Sequence, residues 1–146
     1  MKKFTLIFVA ILTFAISLAA QTTGDISGVL QKCIDLPDLQ QFYPADNNGN
    51  LKQLFILQHG VSFPSAITVT IGQNKVKLVD KTQVAEGNIS SYFLFWEFTI
   101  NQNSAKADFV YNFKDSENNS QVYHVKVQMK NTTGSWEIAE LNTDRR

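Results

Sequence analysis

The chain has few of the residues and motifs that usually reveal a function. It carries one cysteine, two histidines and three prolines among 146 residues. A single cysteine excludes an internal disulfide, so a hydrophobic core must hold the fold together. Neither His59 nor His124 has a second histidine, a cysteine or an acid at metal-ligand spacing. The sequence therefore predicts no bound metal and no cofactor.

Motifs for catalysis and for phosphate binding are also missing. There is no Gly-rich phosphate loop, no G-x-S-x-G elbow and no H-E-x-x-H helix. The 13 basic and 13 acidic residues are interspersed, with no long run of one sign. Nucleic acids and anionic membranes require a concentrated basic face. This composition argues against both as the main partner.

The N-terminus has the clearest pattern in the chain. Two lysines follow Met1, an apolar run covers positions 4–16, and small residues cluster at 17–20. This order is typical of a cleaved secretory signal peptide, and the run is shorter than the roughly 20 apolar residues of a membrane-spanning helix. We expect a signal peptide over 1–20 and a single domain over 21–146. The protein would then be secreted or periplasmic and free of the membrane after cleavage.

A helical pattern follows the leader. Apolar residues recur at helical spacing and predict an amphipathic helix over 25–35, capped by Thr23 or Asp25; they are Ile26, Val29, Leu30, Cys33 and Ile34. Cys33 lies on this stripe without a basic neighbour that would lower its pKa, so we expect a small buried hydrophobe rather than a nucleophile. Pro37 begins a second short helical turn.

The rest of the chain predicts strands. Period-two alternation and turn residues indicate strands at 51–59, 66–71 and 75–79, a helical turn at 82–87, and four strands at 92–100, 105–113, 121–130 and 135–141. The predicted fold class is α+β. An N-terminal helix would pack on an antiparallel sheet that ends in a four-strand meander.

The loop lengths of the meander set a predicted register and two faces. Pairing Ile100 with Ala105, and Phe113 with Gln121, separates a core face from an open face. The core face would lie under the helix and include Trp96, Phe109, Val125, Val127 and Ile138.

The open face supplies the candidate binding or interface residues, which are Phe93, Phe95, Glu97, Asp108, Val110, His124, Lys126 and Leu141. The expected rows place Phe95, Val110, His124 and Leu141 in an apolar strip beside Glu97, Asp108, Lys126 and Ala139. An exposed apolar strip on a sheet usually marks a partner, a ligand or a second copy of the chain. The alternative is an ordinary solvated face on which lysines balance carboxylates across strands.

The order of elements resembles a known superfold. Helices precede a meander that closes on Gly134-Ser135-Trp136-Glu137-Ile138, after the alternating strand Val125-Lys126-Val127-Gln128-Met129. This pattern resembles the cystatin-like and NTF2-like α+β superfold. The resemblance implies a curved sheet wrapped on a helix, and often a homodimer formed through the open sheet face. It implies no reaction and no active-site residue, because one fold carries many functions.

Three hypotheses of different classes remain. The first is an exported non-catalytic binding or protein-interaction module, with an envelope protein or a second copy as partner. The second is an NTF2-like enzyme acting on a small molecule, with Glu97 or Asp108 as general base beside His124. The third is a carbohydrate-binding module that uses aromatics of residues 92–98. The predicted register ranks it last, because it buries Trp96 and leaves only Phe93 and Phe95 facing outward.

Overall fold

A computed structural model describes residues 22–146 and has the α+β class that the sequence predicts. The predicted signal peptide, 1–20, lies outside the described residues. In chain order the elements are α1 (Thr23–Ile34), α2 (Pro37–Gln40), β1 (Phe55–Leu57), β2 (Thr70–Ile71), β3 (Asn74–Lys75), β4 (Lys77–Val79), α3 (Lys81–Glu86), β5 (Tyr92–Ile100), β6 (Ser104–Lys114), β7 (Ser120–Thr132) and β8 (Ser135–Arg145). None of these helices is long and apolar enough to cross a bilayer.

Six strands form the main sheet, in the order β4-β1-β5-β6-β7-β8. The last four strands are successive antiparallel hairpins, which confirms the predicted meander. Strand β1 pairs in parallel with both β4 and β5, an arrangement that the local pattern did not predict. Strands β2 and β3 form a separate two-stranded ribbon, whose turn contains Gly72 at φ +57°.

Helix α1 buries its predicted stripe. Its N-cap is Thr22, just before the residues expected to cap it; the Thr22 hydroxyl accepts a hydrogen bond from the Asp25 N–H at 3.1 Å. All five stripe residues are buried and belong to the same cluster as the core-facing residues of β5 to β8. Cys33 is a free, fully buried thiol whose pKa is raised by burial, as expected for a structural residue.

The helix approaches the sheet closely at one glycine. A Cβ on Gly28 would stand 3.1 Å from the Trp136 indole, which is tighter than ordinary packing. A larger residue at this position would therefore require the Trp136 side chain or α1 to shift by a few tenths of an ångström.

The pairing of β6 with β7 follows the predicted register residue for residue. Phe109 lies opposite Val125 and Ala107 opposite Val127, and all four side chains are buried in the core. The Phe109 ring stacks on Phe95, with 4.7 Å between centroids. The core beneath the centre of the meander is thus the one that the sequence predicts.

The N-terminal half of β5 departs from the prediction because of a β-bulge. Phe95 pairs with Phe109 and Glu97 pairs with Asp108, so Trp96 has no partner residue and is 56% exposed. One extra residue in a strand of period two reverses every side chain beyond it. Phe93 and Phe95 consequently point into the core, so their predicted outward position and the predicted burial of Trp96 are both wrong.

A second bulge, on β8, changes which residues lie opposite each other across β7 and β8. The strand continues to Arg145, and the register shifts at Ala139, so that Ile138 pairs with Met129 and Glu140 with Gln128. Leu141 therefore lies opposite the buried Val127 rather than beside His124, which places it on the core side of the sheet. Ile138 and Leu141 are 41% and 43% exposed because β8 is the sheet edge, so the predicted burial of Ile138 is wrong.

Two buried tyrosines pack edge-to-face in the core, 5.2 Å apart between ring centroids. Tyr43 donates a hydrogen bond of 2.6 Å to the Ile34 carbonyl, near the C-terminal end of α1. The hydroxyl of Tyr111 is buried and finds no partner among the described residues; Ser91 is its polar neighbour but lies outside hydrogen-bond geometry. Burial raises the pKa of both phenols, so both remain neutral.

Candidate functional site

The outer face of the meander, on the side opposite the core, brings together four of the predicted site residues. Glu97 pairs across strands with Asp108, and Asp108 pairs with Lys126. His124 lies two residues before Lys126 on β7, on the same face. Strand pairing alone thus positions Glu97, Asp108, His124 and Lys126 as neighbours.

Asp108 is the centre of this arrangement. Its Oδ1 lies 2.6 Å from His124 Nε2, and its Oδ2 lies 3.5 Å from Lys126 Nζ. The Asp108 and His124 side chains are only about a fifth exposed, at 22% and 21%. Both carboxylate oxygens face a nitrogen, so Asp108 fixes the position of the His124 ring and draws the lysine to the same point.

Trp96 completes the cluster from β5. Its ring centroid lies 5.3 Å from that of His124, with the planes at 62° in an edge-on contact. The bulge turns Trp96 out of the core toward this imidazole, and bulges commonly re-aim a side chain in this way. We call Trp96, Asp108, His124 and Lys126 the Trp96 cluster.

An open groove of about 610 Å³ runs beside the cluster across β5 to β8. Besides Asp108 and Lys126, polar side chains of neighbouring strands line it, namely Glu97, Lys106, Gln128, Glu140 and Asn142. Gln128 Nε2 donates to Glu140 Oε2 at 2.9 Å, which holds two of them in place. The groove therefore offers amide, carboxylate and ammonium groups, of which Asp108, Gln128 and Glu140 are held by neighbouring side chains.

The remaining predicted site residues do not join the Trp96 cluster, although Leu141 lies along the groove. Phe93 and Phe95 are core residues, and Leu141 lies on the core side of β8. Val110 does face outward, opposite Leu94, but it is buried. The predicted exposed strip of Phe95, Val110, His124 and Leu141 is therefore wrong.

The outer face instead carries a row of four apolar residues, one from each of β4, β1, β5 and β6. Val79 pairs with Leu57, Leu57 with Leu94, and Leu94 with Val110. Three of these side chains are buried and Leu94 is half-buried. Away from the Trp96 cluster, the outer face therefore has its own small apolar layer.

Sequence reasoning missed Trp96, Gln128, Glu140 and Asn142 as site residues. Trp96 was missed because of the bulge: residues 92–96 are all aromatic or apolar, so no polar residue indicates which side chains face the solvent. Glu140 and Asn142 were missed because the second bulge shifts the register of β8 against β7 by one residue.

The described part of the chain, residues 22–146, contains no group of three His, Cys, Asp or Glu side chains placed to hold a metal ion. The Trp96 cluster contributes one acid and one histidine, which is too few for a protein-bound zinc. Its chemistry is that of hydrogen bonding, ion pairing and aromatic contact.

Comparison with known proteins gives no relative for the chain. No family model, no curated protein and no solved structure matches it.

Proposed function

We propose that the chain is an exported, non-catalytic binding or protein-interaction module, and that the Trp96 cluster with its groove binds the partner. The observation that carries this proposal is the bulge that turns Trp96 out of an aromatic strand. Exposing a large aromatic side chain forfeits burial worth roughly 1.5–3 kcal/mol. Tryptophan is also the residue type most enriched among binding hot spots.

The contacts around Trp96 support the same proposal. His124 is held by the Asp108 carboxylate on one side and by the indole on the other. A side chain already fixed before binding loses little conformational freedom on association. An aromatic centre flanked by charged and amide groups also has the composition of an interface core with a polar rim.

A second candidate is carbohydrate binding at the same surface. Its low rank depended on Trp96 being buried, and Trp96 is exposed. An open aromatic ring next to fixed amide and carboxylate groups can contact both the apolar and the hydroxyl-bearing surfaces of a sugar. The identity of the ligand thus becomes an outcome of the binding experiment.

The enzyme alternative receives less support from the geometry. A general base needs a free lone pair toward the substrate, whereas both oxygens of Asp108 face a cationic or imidazole nitrogen. Glu97 is exposed in an open groove that does not exclude water. A small-molecule reaction with Glu97 or Asp108 as base remains the alternative to the binding module.

We propose a cystatin-like or NTF2-like fold on the order of the elements, with helices preceding an antiparallel meander. Burial of α1 in one cluster with the sheet supports this assignment. The parallel pairs of β1 with β4 and β5 add an edge that the resemblance does not imply.

The proposal is tested by titrating the purified protein against envelope proteins and glycans of the source, using calorimetry. We expect one ligand class to bind saturably, and Trp96→Ala and His124→Ala each to weaken that binding by roughly tenfold or more. Gln73→Ala, an exposed change at the β2–β3 turn, is the matched control and should bind like the wild type.

Binding that survives both Trp96→Ala and His124→Ala would place the ligand elsewhere and refute the proposed site. Turnover of a small molecule that is lost in Asp108→Asn would instead favour the enzyme alternative.

A further inference from the structure

We propose that strand β8 pairs with β8 of a second copy of the chain, antiparallel and about a two-fold axis at Thr143. Strand β8 is the end strand of the six-stranded sheet, and its partner is β7. It is 11 residues long, which is a long edge. An edge strand presents unpaired N–H and C=O groups that serve as a template for another strand.

The ladder with β7 shows which backbone groups are free. Arg146 and Val122 exchange both of their backbone hydrogen bonds, each 2.9 Å long. Because such pairs alternate along an antiparallel ladder, Asn142 and Asp144 also direct their backbone groups toward β7. The backbone groups of the three intervening residues point away from β7; these residues are Leu141, Thr143 and Arg145. Within residues 22–146 no other strand or loop hydrogen-bonds to them.

The charge pattern selects one register for self-pairing. An axis at Thr143 sets Glu140 opposite Arg146 of the partner subunit and Asn142 opposite Asp144 of the partner subunit. Thr143 then pairs with Thr143 of the partner subunit, and Leu141 with Arg145 of the partner subunit. In this register Glu140 of each copy faces an arginine that also binds Asp144 of its own chain at 2.8 Å, and no like charges lie opposite each other.

Neighbouring registers either place like charges opposite each other or extend into the bulge. An axis at Asn142 sets Glu140 against Asp144 of the partner subunit, which places like charges opposite each other on both sides of the axis. An axis at Asp144 sets that carboxylate against its own copy. An axis at Leu141 extends the pairing into the bulge at Ala139, where the ladder is interrupted.

The exposed apolar surface of β8 is consistent with such pairing. Leu141 is 43% exposed and lies on the same side of the strand as Arg145. The Arg145 guanidinium lies 5.1 Å from the centre of the Phe42 ring, so the aliphatic part of this side chain runs along the sheet. Leu141 would pack on the aliphatic part of Arg145 of the partner subunit and lose its exposure to water.

Charged residues and bulges on an edge usually oppose pairing. On β8 the bulge lies at Ala139, before the regular stretch 140–146, and therefore leaves that stretch free to pair. The acidic and basic residues of this stretch stand in a self-complementary order. The same charges that would repel a strand of another sequence match a second copy.

A disulfide-trapping experiment tests the axis. Residues opposed in a hydrogen-bonded pair have Cα atoms about 5.5 Å apart, within the range that a disulfide spans. Under mild oxidation Thr143→Cys should therefore give a covalent dimer. Leu141→Cys is the matched control, since this residue is on the same free edge but lies roughly four residues from its own copy. The native Cys33 is fully buried and does not compete.

Sedimentation velocity tests the assembly without cross-linking. We expect the wild type to form a concentration-dependent dimer and Thr143→Pro to remain monomeric at the same concentrations. The Thr143 N–H points away from β7, so proline removes an edge donor without breaking the ladder. A near-UV circular dichroism spectrum like that of the wild type will show that the variant is folded.

A charge exchange provides the decisive comparison. Glu140→Arg and Arg146→Glu should each weaken the dimer by roughly tenfold or more, because each places like charges opposite. The double variant Glu140→Arg/Arg146→Glu should restore it. A wild type that stays monomeric at high concentration, a dimer indifferent to these changes, or equal cross-linking of both cysteine variants would each overturn the proposal.

Discussion

At the residue scale, the structure separates the aromatic side chains buried in the core from Trp96, which is exposed. Phe109 is fully buried and stacks on Phe95, whereas Trp96, adjacent to Phe95 in sequence, contacts a histidine at the surface. Phe95 and Trp96 are thus adjacent in sequence, but Phe95 is buried and Trp96 is exposed. Their substitutions should have correspondingly different effects on stability.

Phe109→Ala should lower the free energy of unfolding by about 3–5 kcal/mol, since it leaves a large cavity in the core. Trp96→Ala removes an exposed ring and should change that free energy by about 1 kcal/mol or less. Urea denaturation followed by circular dichroism measures both. Comparable losses of unfolding free energy in the two variants would indicate that Trp96 is buried and that β5 has no bulge.

The two core tyrosines allow a similar comparison of one hydroxyl each. Tyr111→Phe removes a buried hydroxyl without a partner and should raise the free energy of unfolding by about 1 kcal/mol. Tyr43→Phe removes the bond to the Ile34 carbonyl and should lower it by about 1 kcal/mol. Thermal denaturation of both variants checks the signs, and a destabilised Tyr111→Phe would indicate that its hydroxyl is satisfied after all.

At the scale of elements, β5 is a regular strand interrupted by one residue. Without Trp96, the sequence Phe93, Leu94, Phe95, Glu97 would alternate between core and surface with no irregularity. The bulge is thus unnecessary for placing these core side chains, and its effect is to present the indole. Bulges commonly re-aim a side chain in this way, and here the indole contacts His124.

Deletion of Trp96 should accordingly give a folded protein with a continuous β5–β6 ladder. We expect its melting temperature to stay within several degrees of the wild type, while binding through the outer face is lost. Trp96→Ala, which keeps the bulge and removes the indole, is the control for the side chain alone. Loss of the folded spectrum in the deletion variant but not in Trp96→Ala would show that the bulge itself is structural.

Most of the fold follows from sequence patterns, and the errors in which side chains face the core come from two single-residue bulges. The stripe of α1 and the β6–β7 hairpin carry clear periodicity and were predicted correctly. In β5 five successive residues are apolar, so hydrophobicity does not distinguish core from surface and the bulge leaves no trace. The bulge at Ala139 puts the apolar Ile138 and Leu141, three positions apart, on the same side of β8, which strict period-two alternation does not predict.

The candidate site was predicted only where the register is regular. Asp108 and Lys126 are opposed by the regular β6–β7 register, and Glu97 follows the bulge, where the predicted pairing holds. The parallel pairs of β1 depend on contacts between distant segments. Local alternation contains no information about them.

At the scale of the whole molecule, two exposed turns make stability depend on pH. The pKa of Asp46 is lowered mainly by the backbone N–H of Asn50, and that of Asp115 mainly by the backbone N–H of Asn119. In both turns the carboxylate accepts backbone hydrogen bonds of 2.8–2.9 Å from residues two and four positions later. Folding therefore favours the ionised form of both side chains.

Because both folded pKa values lie below the unfolded value of about 3.9, the stabilisation is complete above that pH and is lost as the pH falls through the folded pKa. The double variant Asp46→Asn/Asp115→Asn keeps an acceptor in each turn but cannot titrate. Its melting temperature should fall less steeply than that of the wild type between about pH 4 and pH 2. Ser116→Asn, in the same turn as Asp115, is the control and should leave the slope unchanged; equal slopes in the double variant would refute the assignment.

The contact between Gly28 and Trp136 also constrains the order of folding. Helix α1 is synthesised early, but its apolar stripe lies in one cluster with Trp136 of the last strand, β8. While the ribosome is still making the meander, α1 therefore lacks part of its native cover and gains little from forming alone. We expect the core to close only after β8 has emerged, and the unfinished chain to expose a hydrophobic surface that a chaperone can hold until then.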